Sequence, residues 1–215
     1  MAPDTGKVFG LGLSRTGTTS LHAALVLLGL SSVHYPLSYR NLARHWIDGD
    51  FSPAHNAPFR CYSDLPTPVF YREFDATHPG SKFVLTLRDE DTWADSIERQ
   101  YARPLPPSPK NPIRHRMREL AYGSVTFDRT RYLDAYRRHN DKVRDYFAAR
   151  PDALLVLDLS RDKDAWRQLA GFLDRPTPAR AFPHLRIPDL GSLSWVTEAE
   201  LPEKAERMKR LISAA

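Results

Sequence analysis

Nine residues near the start of the chain, GLSRTGTTS from Gly12 to Ser20, have the chemistry of an anion cradle. An apolar run precedes them and a helical pattern follows. A helix N-terminus leaves backbone N–H groups unpaired and carries a partial positive charge. Gly17 lets the backbone approach an anion closely. Ser14, Thr16, Thr18, Thr19 and Ser20 are hydroxyl donors, and Arg15 adds a planar fork of charged N–H groups. A nucleotide-triphosphate loop ends G-K-[ST], with the lysine on the outer phosphates and the hydroxyl after it on magnesium. Here Thr18 stands in the lysine position and the cation has moved to Arg15. That arrangement suits one 5′-phosphate and its leaving-group oxygen better than a triphosphate with metal.

A second segment, KFVLTLRDEDTWADSI, places Arg88 at the end of a β-rich run and Ser96 two helical turns later. Open α/β sheets bind ligands at the carboxyl ends of their strands, so Arg88 and Ser96 can meet one phosphate. Two phosphate sites at two strand ends match a nucleotide phosphorylated at both ends.

For a general base the foremost candidate is Asp64 in CYSDLPTP, which follows a short strand and precedes Pro66; an aspartate there also serves as an ordinary turn residue. His22, one turn into the first helix, and His55 are histidine alternatives, with His34 further off. His22 also suits packing within its helix. Asp158 in LLVLDLS imitates a magnesium-binding strand end, and a buried strand plus turn accounts for it equally. The eight histidines lack zinc-site spacing, and no metal is expected.

LSRTGTTSL resembles the 5′-phosphosulfate loop of sulfotransferases that use 3′-phosphoadenosine 5′-phosphosulfate. Arg15 takes the place of the lysine common in that family, as in one bacterial and fungal branch. The segment with Arg88 and Ser96 is similar to the family's 3′-phosphate segment. Residues 146–185, with Trp166, Leu169, Phe172 and Leu173 as W-x-x-L-x-x-F-L, look like its later part. The resemblance covers about residues 7 to 185. It implies a P-loop-like fold and 3′-phosphoadenosine 5′-phosphosulfate as co-substrate without metal. It further implies in-line sulfuryl transfer to a small-molecule acceptor, with Arg15, Asp64 or His22 catalytic. It also implies a basic, glycine-containing loop over the 3′-phosphate, for which residues of the proline-rich stretch or Arg114, Arg116 and Arg118 are candidates. Two other readings stay open: a magnesium-dependent small-molecule phosphotransferase, and a non-catalytic nucleotide-binding protein.

These side chains need strands and helices to aim them. Lys7–Leu11, Phe59–Ser63, Lys82–Leu87 and Ala153–Leu159 read as strands. Thr18–Leu30, Leu37–Trp46, Val69–Thr77, a segment from Asp89 or Asp91 to Tyr101, Tyr132–Arg150 and Asp164–Leu173 read as helices. Gly29 suits a left-handed cap, residues 48–58 read as loop, and Thr197–Ile212 reads as an amphipathic helix with Thr197 and Glu200 as a capping box. ARPLPPSPKNP holds five of the eighteen prolines and reads as a surface excursion. Apolar strands alternating with helices predict α/β: a three-layer sandwich with a central parallel sheet. At 215 residues the chain is expected to be a single domain.

The formal net charge of +5 suits an anionic small molecule, and aromatic-and-basic interleaving for nucleic acid is absent. A lone cysteine, Cys61, rules out an internal disulfide and fits a cytoplasmic setting. No run is long enough to span a membrane and no secretory signal is evident. Phe51, Phe59, Tyr62, Phe70, Tyr71 and the region from Tyr101 to Tyr122 are candidates for an acceptor pocket. The sequence leaves the oligomeric state open.

Overall fold

The computed structural model describes residues 6–101, 112–185 and 190–213. The proline-rich excursion, with its basic residues, lies almost entirely outside them. Six strands, β1 (Val8–Gly10), β2 (Ser32–His34), β3 (Cys61–Ser63), β4 (Lys82–Leu87), β5 (Leu154–Asp158) and β6 (Trp195–Val196), form one sheet in the order β5-β4-β1-β3-β2-β6. The first five are parallel; β6 runs antiparallel to β2 at the edge. The fold is thus α/β with a mostly parallel central sheet covered by helices. The antiparallel β6 departs from the expected parallel pattern, and neither β2 nor β6 is among the expected strands; both are too short to carry a hydrophobic period.

Period-two alternation sorts the strand residues between two cores. Phe9, Tyr62 and Phe83 point to one face, where they meet Trp46, Phe74 and Phe147. Val8, Cys61 and Val84 point to the other, against Leu21, Leu25, Trp166 and Leu169. The first face is covered by α2 (Leu42–Ile47), α4 (Tyr71–Thr77) and α7 (Arg129–Phe147), the second by α1 (Thr18–Leu27) and α8 (Ala165–Phe172). The C-terminal helix α9 (Leu201–Ser213) lies outside α1, so Ala23 and Val26 on the far side of α1 are buried against Val196 and Met208. This explains why α1 is apolar nearly all round, as a helix enclosed on both sides must be. Over the carboxyl edge of the sheet, α5 (Glu90–Tyr101) and α6 (Pro112–Tyr122) pack with α7 through Trp93, Met117, Tyr122 and Tyr132.

Several elements are shorter or more broken than expected. The helix expected over Leu37–Trp46 is a 3-10 turn at Pro36–Ser38, then left-handed Arg40 and Asn41, then α2. The expected loop contains α3 (Ser52–Asn56), whose first amide is capped by the Asp50 carboxylate. A 3-10 turn, Thr67–Phe70, precedes α4. Asp89, not Asp91, caps α5. Thr197 and Glu200 do bond reciprocally, but on the turn before α9, not at its first residue. Gly29 is left-handed, as its place after α1 requires.

Candidate active site

The loop from Leu11 to Gly17 links β1 to α1 and is pinned at every step. The Thr16 hydroxyl donates to Leu13 O at 2.8 Å and lies 2.7 Å from that of Thr86 on β4. Gly12 sits so close to Thr86 and Thr16 that a Cβ there would overlap both hydroxyls. The indole N–H of Trp93 donates to Ser14 O at 3.0 Å. Gly17 caps α1 with φ 98°, and a Cβ would stand 2.8 Å from Leu159 Cδ1. Arg15 also has a left-handed backbone, φ 74°.

From this loop Arg15 Nε donates to Ser96 Oγ at 2.8 Å. The two phosphate segments identified in the sequence therefore touch. Arg88 leaves β4 with its backbone clamped by the Tyr136 phenol, which accepts from Arg88 N at 2.9 Å and donates to Arg88 O at 2.7 Å. Its guanidinium donates to Arg15 O and to Thr92 Oγ1, both at 3.3 Å. Among the described residues no carboxylate pairs with Arg88 or with Arg99, one turn beyond Ser96 on α5. A cavity of about 460 Å³ opens here, lined by Ser14, Arg15, Gly17, Thr18, Thr19, Asp64, Arg88, Ser96, Arg99 and Leu185. Three arginines and the start of α1 share this lining with Asp64.

Asp64 ends β3, next to β1 in the sheet, with φ 65°. Its Oδ1 accepts from Ser14 Oγ at 2.6 Å and from Leu65 N at 2.9 Å. Its Oδ2 lies 3.4 Å from His34 Nε2. That nitrogen is also 3.1 Å from Thr18 Oγ1 and 3.4 Å from Thr19 Oγ1. His34 is only 2% exposed, and burial lowers its pKa, with the Asp64 charge opposing.

The expected site residues divide. Ser14, Arg15, Gly17, Thr18, Thr19, Asp64, Arg88 and Ser96 line one cavity. Thr16 turns inward, and Ser20 Oγ accepts from Leu185 N at 3.2 Å; neither lines it. His22 is fully buried, with Nδ1 2.8 Å from Ser32 Oγ and Nε2 donating to Leu193 O at 2.7 Å. Burial pushes its pKa down to about 3, which makes it a neutral packing residue instead of a base. His55 stacks on His78 away from the cavity. Asp158 accepts from the amide and hydroxyl of Ser160, the turn reading.

Arg116 pairs with Glu119, while Arg118 is buried over the Tyr101 ring and donates to Val125 O; with Arg114, neither lines the cavity. Phe59, Tyr62 and Tyr71 are core, and Phe51 and Phe70 pack on the same core; Tyr71, with Tyr122, also lines a separate cavity of about 410 Å³. Trp166, Leu169 and Leu173 are core under α8, with Phe172 packed on them. Sequence reading passed over Arg99, although its spacing of three from Ser96 placed the two on one helix face.

A carboxylate and three arginines stand around a helix N-terminus at the carboxyl ends of parallel strands, where open α/β sheets place their ligand sites. The chain belongs to the sulfotransferase-domain family, whose model matches residues 7–188. It is similar to "Ava biosynthesis cluster protein M" of Aspergillus versicolor, 27% identical over 221 residues that cover 85% of this chain and 82% of that protein. Membership makes it a transferase of the sulfuryl-transferring kind, a family that acts on small-molecule acceptors and generally draws on 3′-phosphoadenosine 5′-phosphosulfate. No helix among the described residues is long and apolar enough to cross a membrane.

Proposed function

We propose that the chain moves a sulfuryl group from 3′-phosphoadenosine 5′-phosphosulfate to a hydroxyl or amine of a small-molecule acceptor. The observation that carries this reading is the meeting of Arg15 with Ser96 beside Arg88, which brings a 5′-type and a 3′-type phosphate grip to one cavity. The residues present fit a doubly anionic nucleotide: Arg88 and Arg99 have no carboxylate partner among the described residues, and both line the cavity with the start of α1.

In this reading Arg15, the first amides of α1 and the hydroxyls of Thr18 and Thr19 hold the 5′-phosphate and the charge that grows on it. Arg88, Ser96 and Arg99 hold the 3′-phosphate. The acceptor oxygen forms the new bond to sulfur as the bond from sulfur to the bridging phosphate oxygen breaks, the electron pair leaving with that oxygen. Asp64 takes the acceptor's proton. Donors already fixed where charge develops need no rearrangement during transfer, which is where most of the acceleration is expected to arise. Asp64 is held by Ser14 and Leu65 before any ligand arrives, so it meets the same requirement on the acceptor side. We read residues 7–185 and α9 as one catalytic domain, supported by the burial of α1 between sheet and α9. The buried thiol of Cys61 is compatible with a cytoplasmic setting.

The test is thermal stabilisation by 3′,5′-bisphosphoadenosine against AMP and against ATP with and without magnesium. The bisphosphate is expected to raise Tm most, without magnesium. A larger shift from ATP with magnesium would favour a phosphotransferase, and ligand binding without turnover on a broad acceptor panel would favour a non-catalytic binder.

A further inference from the structure

We propose that His34 is a positioning residue that sets the direction of the hydrogen bonds in the transfer site. Its Nε2–H holds the Asp64 carboxylate in place for the acceptor and makes the Thr18 hydroxyl a donor toward the departing phosphate. The inference rests on the sulfuryl-transfer reading, with Asp64 as proton acceptor.

The sheet creates the contact. β2 and β3 are parallel neighbours with His34 paired to Ser63, so the residue after Ser63 turns back beneath the imidazole. One ring nitrogen then stands within 3.4 Å of three oxygens: Thr18 Oγ1, Thr19 Oγ1 and Asp64 Oδ2. An unprotonated Nε2 would turn its lone pair on a carboxylate, so the arrangement requires the proton on Nε2. A nitrogen with one hydrogen and no free lone pair can only donate. Thr18 must then accept from His34, and its own proton is left to point elsewhere. Thr18 and Asp64 both line the cavity, so each has an open side toward a ligand. His22, its ring centroid 5.9 Å from that of His34, is tied at both nitrogens and backs the imidazole from behind.

Burial raises the phenols of Tyr35, Tyr101 and Tyr122 near Asp64 above their ordinary value. Arg15, Arg88 and Arg99 line the same cavity as Asp64. Removing the imidazole takes away the N–H nearest Asp64 Oδ2 and leaves Ser14 and Leu65 to hold the carboxylate.

The experiment compares His34→Ala, His34→Gln and Asp64→Asn with the unaltered chain. It reads kcat and KM for the nucleotide, with the thermal shift by bisphosphoadenosine as a check that the site still forms. The alanine variant is expected to lose at least about tenfold in kcat, with nucleotide KM within about threefold. Glutamine, whose amide N–H can stand near Nε2, is expected to restore most of the rate. If the alanine variant does not fold, His34→Leu fills the volume without a donor, and the same loss of kcat at unchanged KM is read from it.

A folded, nucleotide-binding alanine variant with unchanged kcat, or with a reduced kcat that glutamine does not restore, overturns the proposal while Asp64→Asn stays inactive. An active Asp64→Asn instead overturns the assignment of the base, and this proposal with it.

Discussion

The two walls of the cavity are built differently. On the wall formed by β1, β2 and β3, Ser14, Thr18, Asp64 and His34 are each at most 3% exposed and bonded to one another at 2.6–3.4 Å. On the wall formed by the end of β4 and by α5, Arg88 is half-buried, Arg99 is exposed, and the Arg88 guanidinium bonds are long, 3.3 Å each. The two are joined by Arg15 with Ser96, by the Trp93 indole with Ser14 O and by the Arg88 guanidinium with Arg15 O. The inner wall is held by its own internal bonds, as a group that must meet a transition state has to be. The outer wall keeps charged side chains in reserve, as suits groups whose task is to grasp and release a bisphosphate.

This contrast can be broken from either side. Asp64→Asn is expected to reduce kcat by about 10²–10⁴-fold, the range for a lost acid–base group, while leaving the bisphosphoadenosine thermal shift intact. Retained turnover would remove the inner wall's chemical role. Arg15→Ala, which strips a donor from the bridging position, is expected to lower kcat by about 10²–10³-fold in steady-state assays. Gly12→Ala forces a Cβ into the Thr86 and Thr16 hydroxyls and is expected to destabilise the fold by about 1–3 kcal/mol in urea titrations. A neutral result there would mean that the inner wall is less rigid than its bonds imply.

Arg88→Ala is expected to weaken bisphosphoadenosine roughly 10–100-fold by calorimetry, as for a charged hydrogen bond, with AMP affected far less and Tm without ligand unchanged. Arg99→Ala, on the exposed rim, is expected to cost only about twofold to fivefold in the same measurement.

Acid should expose the same asymmetry. The pKa of His22 in the folded chain, about 3, lies below its ordinary 6.5. The unfolded chain therefore takes up a proton first as pH falls. The contribution of neutral His22 is complete above about 6.5 and is lost between there and about 3, at up to roughly 1.4 kcal/mol per pH unit. Denaturant midpoints measured across that window should fall more steeply than in His22→Gln.

Much of this was legible in the sequence. The strand-to-helix loop, the strand ending in Arg88 and the helix carrying Ser96 could be read because each is local: a period, a glycine and a charge within a dozen residues. Asp64 could be read as a candidate. Its bond to Ser14 could not, because it depends on β1 lying next to β3, and strand order leaves no mark on a single chain. His34 could be read only as an outlying histidine, for the same reason. It ends a strand of three residues, too short to show alternation, and its value comes from Thr18 and Asp64, which approach it only once β2 pairs with β3. α6 was missed because its charged sequence is amphipathic only against α5 and α7, which tertiary packing supplies. The antiparallel β6 has two residues and no pattern.

Arg15 stands at a backbone angle that glycine would adopt without strain and that an arginine adopts at some cost. Replacing it with glycine should therefore relax the turn while deleting the guanidinium. Such a protein would unfold later on heating than the alanine variant and be as inert as that variant toward any acceptor. Durability and turnover would then be seen to compete at a single position.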